Sequence, residues 1–130
     1  MDGWVRVVGV AAAVGFVGIA AFQAAIAAGA PLGRAAWGGT HVRLPQRLRV
    51  ASAVAVGFWI VAALVVLARA GFDASPVPFS ASRWATWILV VLLPIGAVMN
   101  AASRSPWERF LWAPIALVLG VLCLALGLEG

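Results

Sequence analysis

Few residues in this chain of 130 can do chemistry, and their spacing limits what that chemistry could be. There is one histidine, His41, one cysteine, Cys123, and four acids, Asp2, Asp73, Glu108 and Glu129. A protein zinc site draws three or four ligands together from closely spaced Cys, His or carboxylate residues. A nucleophilic triad needs a nucleophile, a base and an orienting acid within reach of one another. Neither can be assembled from these positions, so no metal and no cofactor is implied. Cys123 lies deep in an apolar run, where a lone thiol reads as a small packing residue and has no second cysteine to pair with. His41 with Glu108 is the one acid–base pair left.

The polar residues that do not ionise say more. The stretch GAPLGRAAWGGTHVRLPQRLR, from Gly29 to Arg49, holds four glycines, a tryptophan, the histidine and four arginines between two apolar runs. Glycines permit backbone turns that other residues resist, so the stretch reads as an ordered loop. Successive amides at Gly38 and Gly39, with Arg34, His41 and Arg43 beside them, are the ingredients of a concave anion site, for example for a lipid phosphate. The plainer alternative is a loop that lies on the headgroups and anchors the bundle. Trp37 suits the membrane interface. Gln23, Asn100 and Trp112 fall at a similar depth to this loop, so if the bundle holds a pocket it lies there, between the helices at this end. The candidate ligand-binding residues are Gln23, Arg34, Trp37, Gly38, Gly39, His41, Arg43, Asn100 and Trp112, with no catalytic residue among them.

The elements that must position these residues follow from composition. Of the chain, 65% is apolar and only 10% charged, whereas about a quarter of a soluble domain is charged. Four apolar runs each approach the ~20 residues that span hydrocarbon. The fold class is therefore all-α: a polytopic membrane four-helix bundle, one transmembrane domain over 1–130, with helices at about 3–30, 45–70, 82–102 and 106–128 and a structured loop between the first two. A secretory signal is the other reading of the first run. Its length, the single Arg6 beside Asp2, and Pro31 just after the small-residue stretch argue against it.

Within the first helix, Ala20, Ala24 and Ala28, and likewise Ala21, Ala25 and Gly29, form small-residue ridges that let a neighbouring backbone approach closely. Its one strongly polar interior residue, Gln23, should find a partner on another helix. Pro45 suits the first turn of the second helix, and Gly71 its stop. Pro76 and Pro78 mark an extended connection. Ser80 or Ser82 can cap the third helix, whose Trp84 and Trp87 suit an interfacial belt and whose Pro94 predicts a kink. The run Ser105-Pro106-Trp107-Glu108 is a helix start in which Glu108 returns to the cap of Ser105. Pro114 falls early in the fourth helix. No pairwise repeat of the kind that marks inverted-half transporters is evident.

All nine basic residues are arginine, and the net charge is +5. A nucleic-acid partner would need a basic face on a soluble module, whereas these arginines fall in short connections between spans. With four spans, Arg34, Arg43, Arg47, Arg49, Arg104 and Arg109 share one side, against Arg6, Arg69 and Arg83 on the other. That bias predicts cytoplasmic loops at 31–44 and 103–105, with both termini outside. The interior of the spans carries no Asp, Glu, Lys or His, which argues against a proton-coupled pump.

The pattern Gly-Ala-Pro-x-Gly, then Trp-Gly-Gly, then Leu-Pro-x-x-Leu-Arg, followed by Asn100-x-x-Ser103-x-Ser105-x-x-Glu108-Arg109, resembles a group of small bacterial four-helix membrane proteins of uncharacterised role. The resemblance implies a multi-pass protein of the bacterial inner membrane and brings no activity, substrate or cofactor. The reading that follows is a non-catalytic membrane protein that binds a lipid, another apolar ligand or a membrane partner at its cytoplasmic end. One alternative is a small oligomeric transporter or channel with Gln23 and Asn100 on its pathway. The other is a membrane-embedded enzyme acting on a lipid-like substrate with His41 as acid or base.

Overall fold

The structure is a computed structural model that describes residues 3–129; Asp2, counted above beside Arg6, lies outside them. Four helices form: α1 (Gly3–Ala27), α2 (Gln46–Arg69), α3 (Phe79–Ala101) and α4 (Ala113–Leu128), the last entered through a π-helical turn, Glu108–Trp112. All four are long and apolar enough to cross a membrane once that turn is counted with α4. No strand occurs among the described residues. The chain is thus a small integral membrane protein, an all-α four-helix bundle.

Local chemistry explains the boundaries. α1 stops at Ala27, short of residue 30, because Gly29 takes a φ of +100° and closes a Schellman motif. Its amide donates to the carbonyl of Ile26, and the next, of Ala30, to Ala25. The same motif ends α2 at Gly71, with Phe72 donating to Leu67. Arg49 of α2 adds a further cap, its Nε donating to the carbonyl of Ala27 at 2.8 Å. α3 starts at Phe79, directly after Pro78, and no side chain caps it. Ser82 instead bonds back to the Phe79 carbonyl, and Thr86 to that of Ser82. Such back-bonding satisfies a hydroxyl inside an apolar helix without a partner from another element.

Packing divides the bundle into two hairpins, α1 on α2 and α3 on α4. The close approach of α1 to α2 lies at Gly9, where a Cβ would collide with that of Ala70. Of the predicted ridges only Ala20 is buried; Ala21, Ala24 and Ala28 are exposed. The helix is small-residue-rich along its whole length, so composition could not say which ridge faces the partner, and the buried face runs Val5, Gly9, Ala12, Ala13, Phe16, Ala20. On the other hairpin, Gly120 lets α4 lie against Leu93 and Pro94, and α3 runs through Pro94 as one helix.

The main apolar core joins Phe16, Ala62, Val66, Leu89, Leu93, Leu119, Cys123 and Leu126. Cys123 is fully buried in it. A second, smaller cluster of Ile26, Ala36 and Leu44 seats the first connection on α1. Between the two clusters the helices part.

Candidate functional site

The first and third connections meet at one end of the bundle, which carries six of the nine arginines and is called the basic end below. Short 3-10 turns at Gly33–Ala35 and Trp37–Gly39 shape the first connection. Gly33 donates to the carbonyl of Val42 at 2.8 Å, and a Cβ there would lie 2.5 Å from the His41 oxygen, so only glycine fits. Trp37, Gly38 and Gly39 all take positive φ, of 51°, 79° and 77°. Tryptophan rarely adopts that conformation. Two bonds hold it here: Trp37 Nε1 donates to the buried hydroxyl of Ser52 at 2.9 Å, and the Gly38 amide donates to Glu108 at 2.9 Å.

Glu108 is where the two connections are tied. Its Oε1 accepts from Gly38 and from the Ser103 hydroxyl at 2.6 Å. The expected return bond from Glu108 to the cap of Ser105 is not made, because the Ser105 amide turns to the Ser103 hydroxyl at 3.1 Å. Ser105 keeps its capping role through Oγ, which accepts from the Glu108 amide at 3.4 Å and donates to the Arg34 carbonyl at 2.6 Å. A start signal legible within four residues is thus partly diverted to hold a loop seventy residues earlier in the chain.

Behind this clasp lies a cavity of about 520 Å³. Its walls come from both hairpins and from the loop. α1 supplies Ile19, Phe22 and Gln23; the loop supplies Ala35 to Gly38; α3 supplies Leu92, Gly96, Met99 and Asn100. Glu108, Trp112 and Ala116 complete it, with Trp59 of α2. Leu92 and Met99 line it while remaining 43% and 68% exposed, so the cavity opens sideways through the hydrocarbon-facing surface of α3.

Two polar atoms in this wall are buried without a hydrogen-bond partner, Gln23 Oε1 and Trp112 Nε1. The partner expected for the Gln23 oxygen on another helix is not met. An unmet buried donor or acceptor costs about 1–3 kcal/mol. One is an acceptor and the other a donor. Trp112 also packs on Phe22, ring centroids 4.8 Å apart.

Of the sequence candidates, Gln23, Trp37, Gly38, Asn100 and Trp112 share this cavity, and Arg34, Gly39, His41 and Arg43 do not line it. Arg34 enters through its carbonyl in the clasp, and Gly39 packs against Ser105. His41 Nδ1 is 3.0 Å from the Thr40 hydroxyl, so the ring that could have served Glu108 is engaged elsewhere. Among the described residues no cluster of three metal-ligating side chains occurs. Glu108, which the sequence marks as a helix cap, stands at the first residue of the fourth span and lines the cavity. Its cap motif was a visible signal, whereas the contact with Gly38 was not.

Known protein families, curated proteins and solved structures offer no match to this chain. The resemblance to a group of bacterial four-helix proteins therefore adds nothing to the site, which has to be read from its own geometry.

Proposed function

We propose that this is a non-catalytic membrane binding protein whose ligand is an amphipathic, lipid-like molecule held in the cavity at the basic end. The observation that carries this reading is a laterally open, mainly apolar cavity whose wall holds two buried polar atoms without partners. Its volume falls in the range of small-molecule sites, roughly 300–1,000 Å³. An apolar tail would leave past Leu92 and Met99 toward the bilayer, while a polar end meets Gln23, Asn100, Trp112 and Glu108. Arg34, Arg43, Arg47 and Arg104 would lie on headgroups outside the cavity, and the arginine excess at this end is what supports a cytoplasmic position for it.

A continuous pathway is the weaker reading. Beyond Gln23 and Asn100 the bundle closes on Phe16, Leu93, Leu119 and Cys123. A His41-centred reaction is weaker still, because that ring faces Thr40 and lies outside the cavity wall.

Gly96 offers a clean test. It lines the cavity, and a Cβ added there meets nothing within 4 Å, so Gly96→Leu should fill the space without moving backbone. Native mass spectrometry of protein extracted in a neutral detergent should show a retained amphiphile on the wild type and its loss in Gly96→Leu. Equal retention by both proteins would sink the reading.

A further inference from the structure

The lining of the cavity has a sign. Among the described residues no Arg, Lys or His lines it, and its one ionisable group is a carboxylate, Glu108. The partners of that carboxylate, the Gly38 amide and the Ser103 hydroxyl, are both neutral and both bond to Oε1, leaving Oε2 outside these two bonds. Nearby, Trp37, Trp112, Phe22 and Trp59 line the same space, and aromatic faces attract cations through their quadrupole. The nearest arginine in sequence, Arg109, lies with its guanidinium 5.2 Å from the ring of Phe110 on the exposed side of the helix.

The abundant arginines of this end do not reverse the sign. Arg34, Arg43, Arg47 and Arg104 are exposed and do not line the cavity, so water and salt screen their charge. A carboxylate on the wall of a cavity faces a lower dielectric, where a direct charge contact is worth more than the same contact in water. A phosphate-bearing lipid is thus drawn to the outer loop surface and disfavoured inside.

Resting on the cavity reading above, we propose that the occupant is a cationic amphiphile, a long-chain amine that also carries a hydroxyl group near its ammonium. The ammonium group pairs with Glu108, and Gln23 and Trp112 are the polar residues of the wall beside it. The chain follows the apolar wall out past Leu92 and Met99.

The test uses three probes with one common alkyl chain: a vicinal amino alcohol, the corresponding diol and the alkyl phosphate. Each is titrated by tryptophan fluorescence into the full chain in neutral detergent micelles, and Gly96→Leu protein supplies the background. The amino alcohol should bind at least ten-fold tighter than the diol, with the phosphate at background. Glu108→Gln, whose amide oxygen can still accept from Gly38 and Ser103, should erase that ten-fold advantage, so that amino alcohol and diol bind alike. If amino alcohol and diol bind above background with equal affinity, or the phosphate binds best, the cationic assignment is wrong while the cavity reading stands. If no probe exceeds the Gly96→Leu background, both fall. Should Glu108→Gln not purify folded, the wild-type preference between amino alcohol and diol decides the matter.

Discussion

Trp37 carries the single positive φ found outside glycine among the described residues. A left-handed backbone costs a non-glycine residue about 1–2 kcal/mol, so the indole bond to Ser52 and the clasp at Gly38 must outweigh that strain. Removing the acceptor should expose it: Ser52→Ala is expected to destabilise the protein by about 1–2 kcal/mol, read as a lower Tm in detergent. An unchanged Tm would mean that the indole bond does not hold the loop. At Gly33 the obstacle is backbone, since a Cβ would press on the carbonyls of His41 and Val42. Gly33→Ala should therefore cost more, about 3 kcal/mol, whereas Gly57→Ala, which meets open space, should leave Tm the same or raise it. Equal melting of the two variants would contradict the assigned loop geometry. At this scale the sequence was informative about residue types and poor on pairings. The glycines and tryptophan of the loop announced tight turns. That Trp37 reaches Ser52, fifteen residues on, depends on how α2 is rotated, and no local signal encodes that rotation.

The entry to the fourth helix shows how one proline can shape a site. Pro114 has no amide to offer the carbonyl of Phe110, and its ring would crowd that carbonyl in a regular turn. The preceding turn widens to π geometry, and the Ala113 amide donates to Glu108, five residues back. Such widened turns are rare and concentrate at functional sites; here the turn spans from Glu108 to Trp112, both on the cavity wall. Pro114→Ala restores the missing donor and should let the turn tighten, rotating Trp112 relative to α4. Ligand retention should fall several-fold and the Trp112 emission should shift, measured against a Trp112→Phe subtraction. Retention at the wild-type level would show that the turn does not depend on the proline. The hairpin contact makes a separate element-scale prediction. Gly9→Val should destabilise the α1–α2 pair, because its side chain would enter the space of Ala70, while Gly18→Val, facing open space on the same helix, should not. Matching Tm values would overturn the packing assignment.

For the molecule as a whole, the four spans could be read from hydropathy and length, because backbone groups in lipid must be satisfied within a helix. Which helices pair was not legible, since four apolar faces of Ala, Val and Leu are chemically alike and only shape sorts them. The cavity was half legible for the same reason. Gln23, Asn100 and Trp112 could be placed at one depth by counting along the helices, but which walls enclose the cavity, and that the Gln23 oxygen meets no partner, is decided only in three dimensions. Orientation is a whole-molecule property of the six-to-three arginine bias. In a Cys123→Ala background, Thr40→Cys should be labelled by an impermeant thiol reagent only after the membrane is opened, and Ser80→Cys in intact cells; the reverse pattern would invert the topology. The clasp between Glu108 and Gly38 also sets an order of manufacture. As the chain is synthesised from its N-terminus, the first hairpin enters the bilayer with its loop still lacking the carboxylate that binds the Gly38 amide. Until the second hairpin arrives that loop has its Trp37–Ser52 bond but neither Glu108 on Gly38 nor Ser105 on Arg34, so an incomplete molecule should be cut in this loop more readily than the finished one.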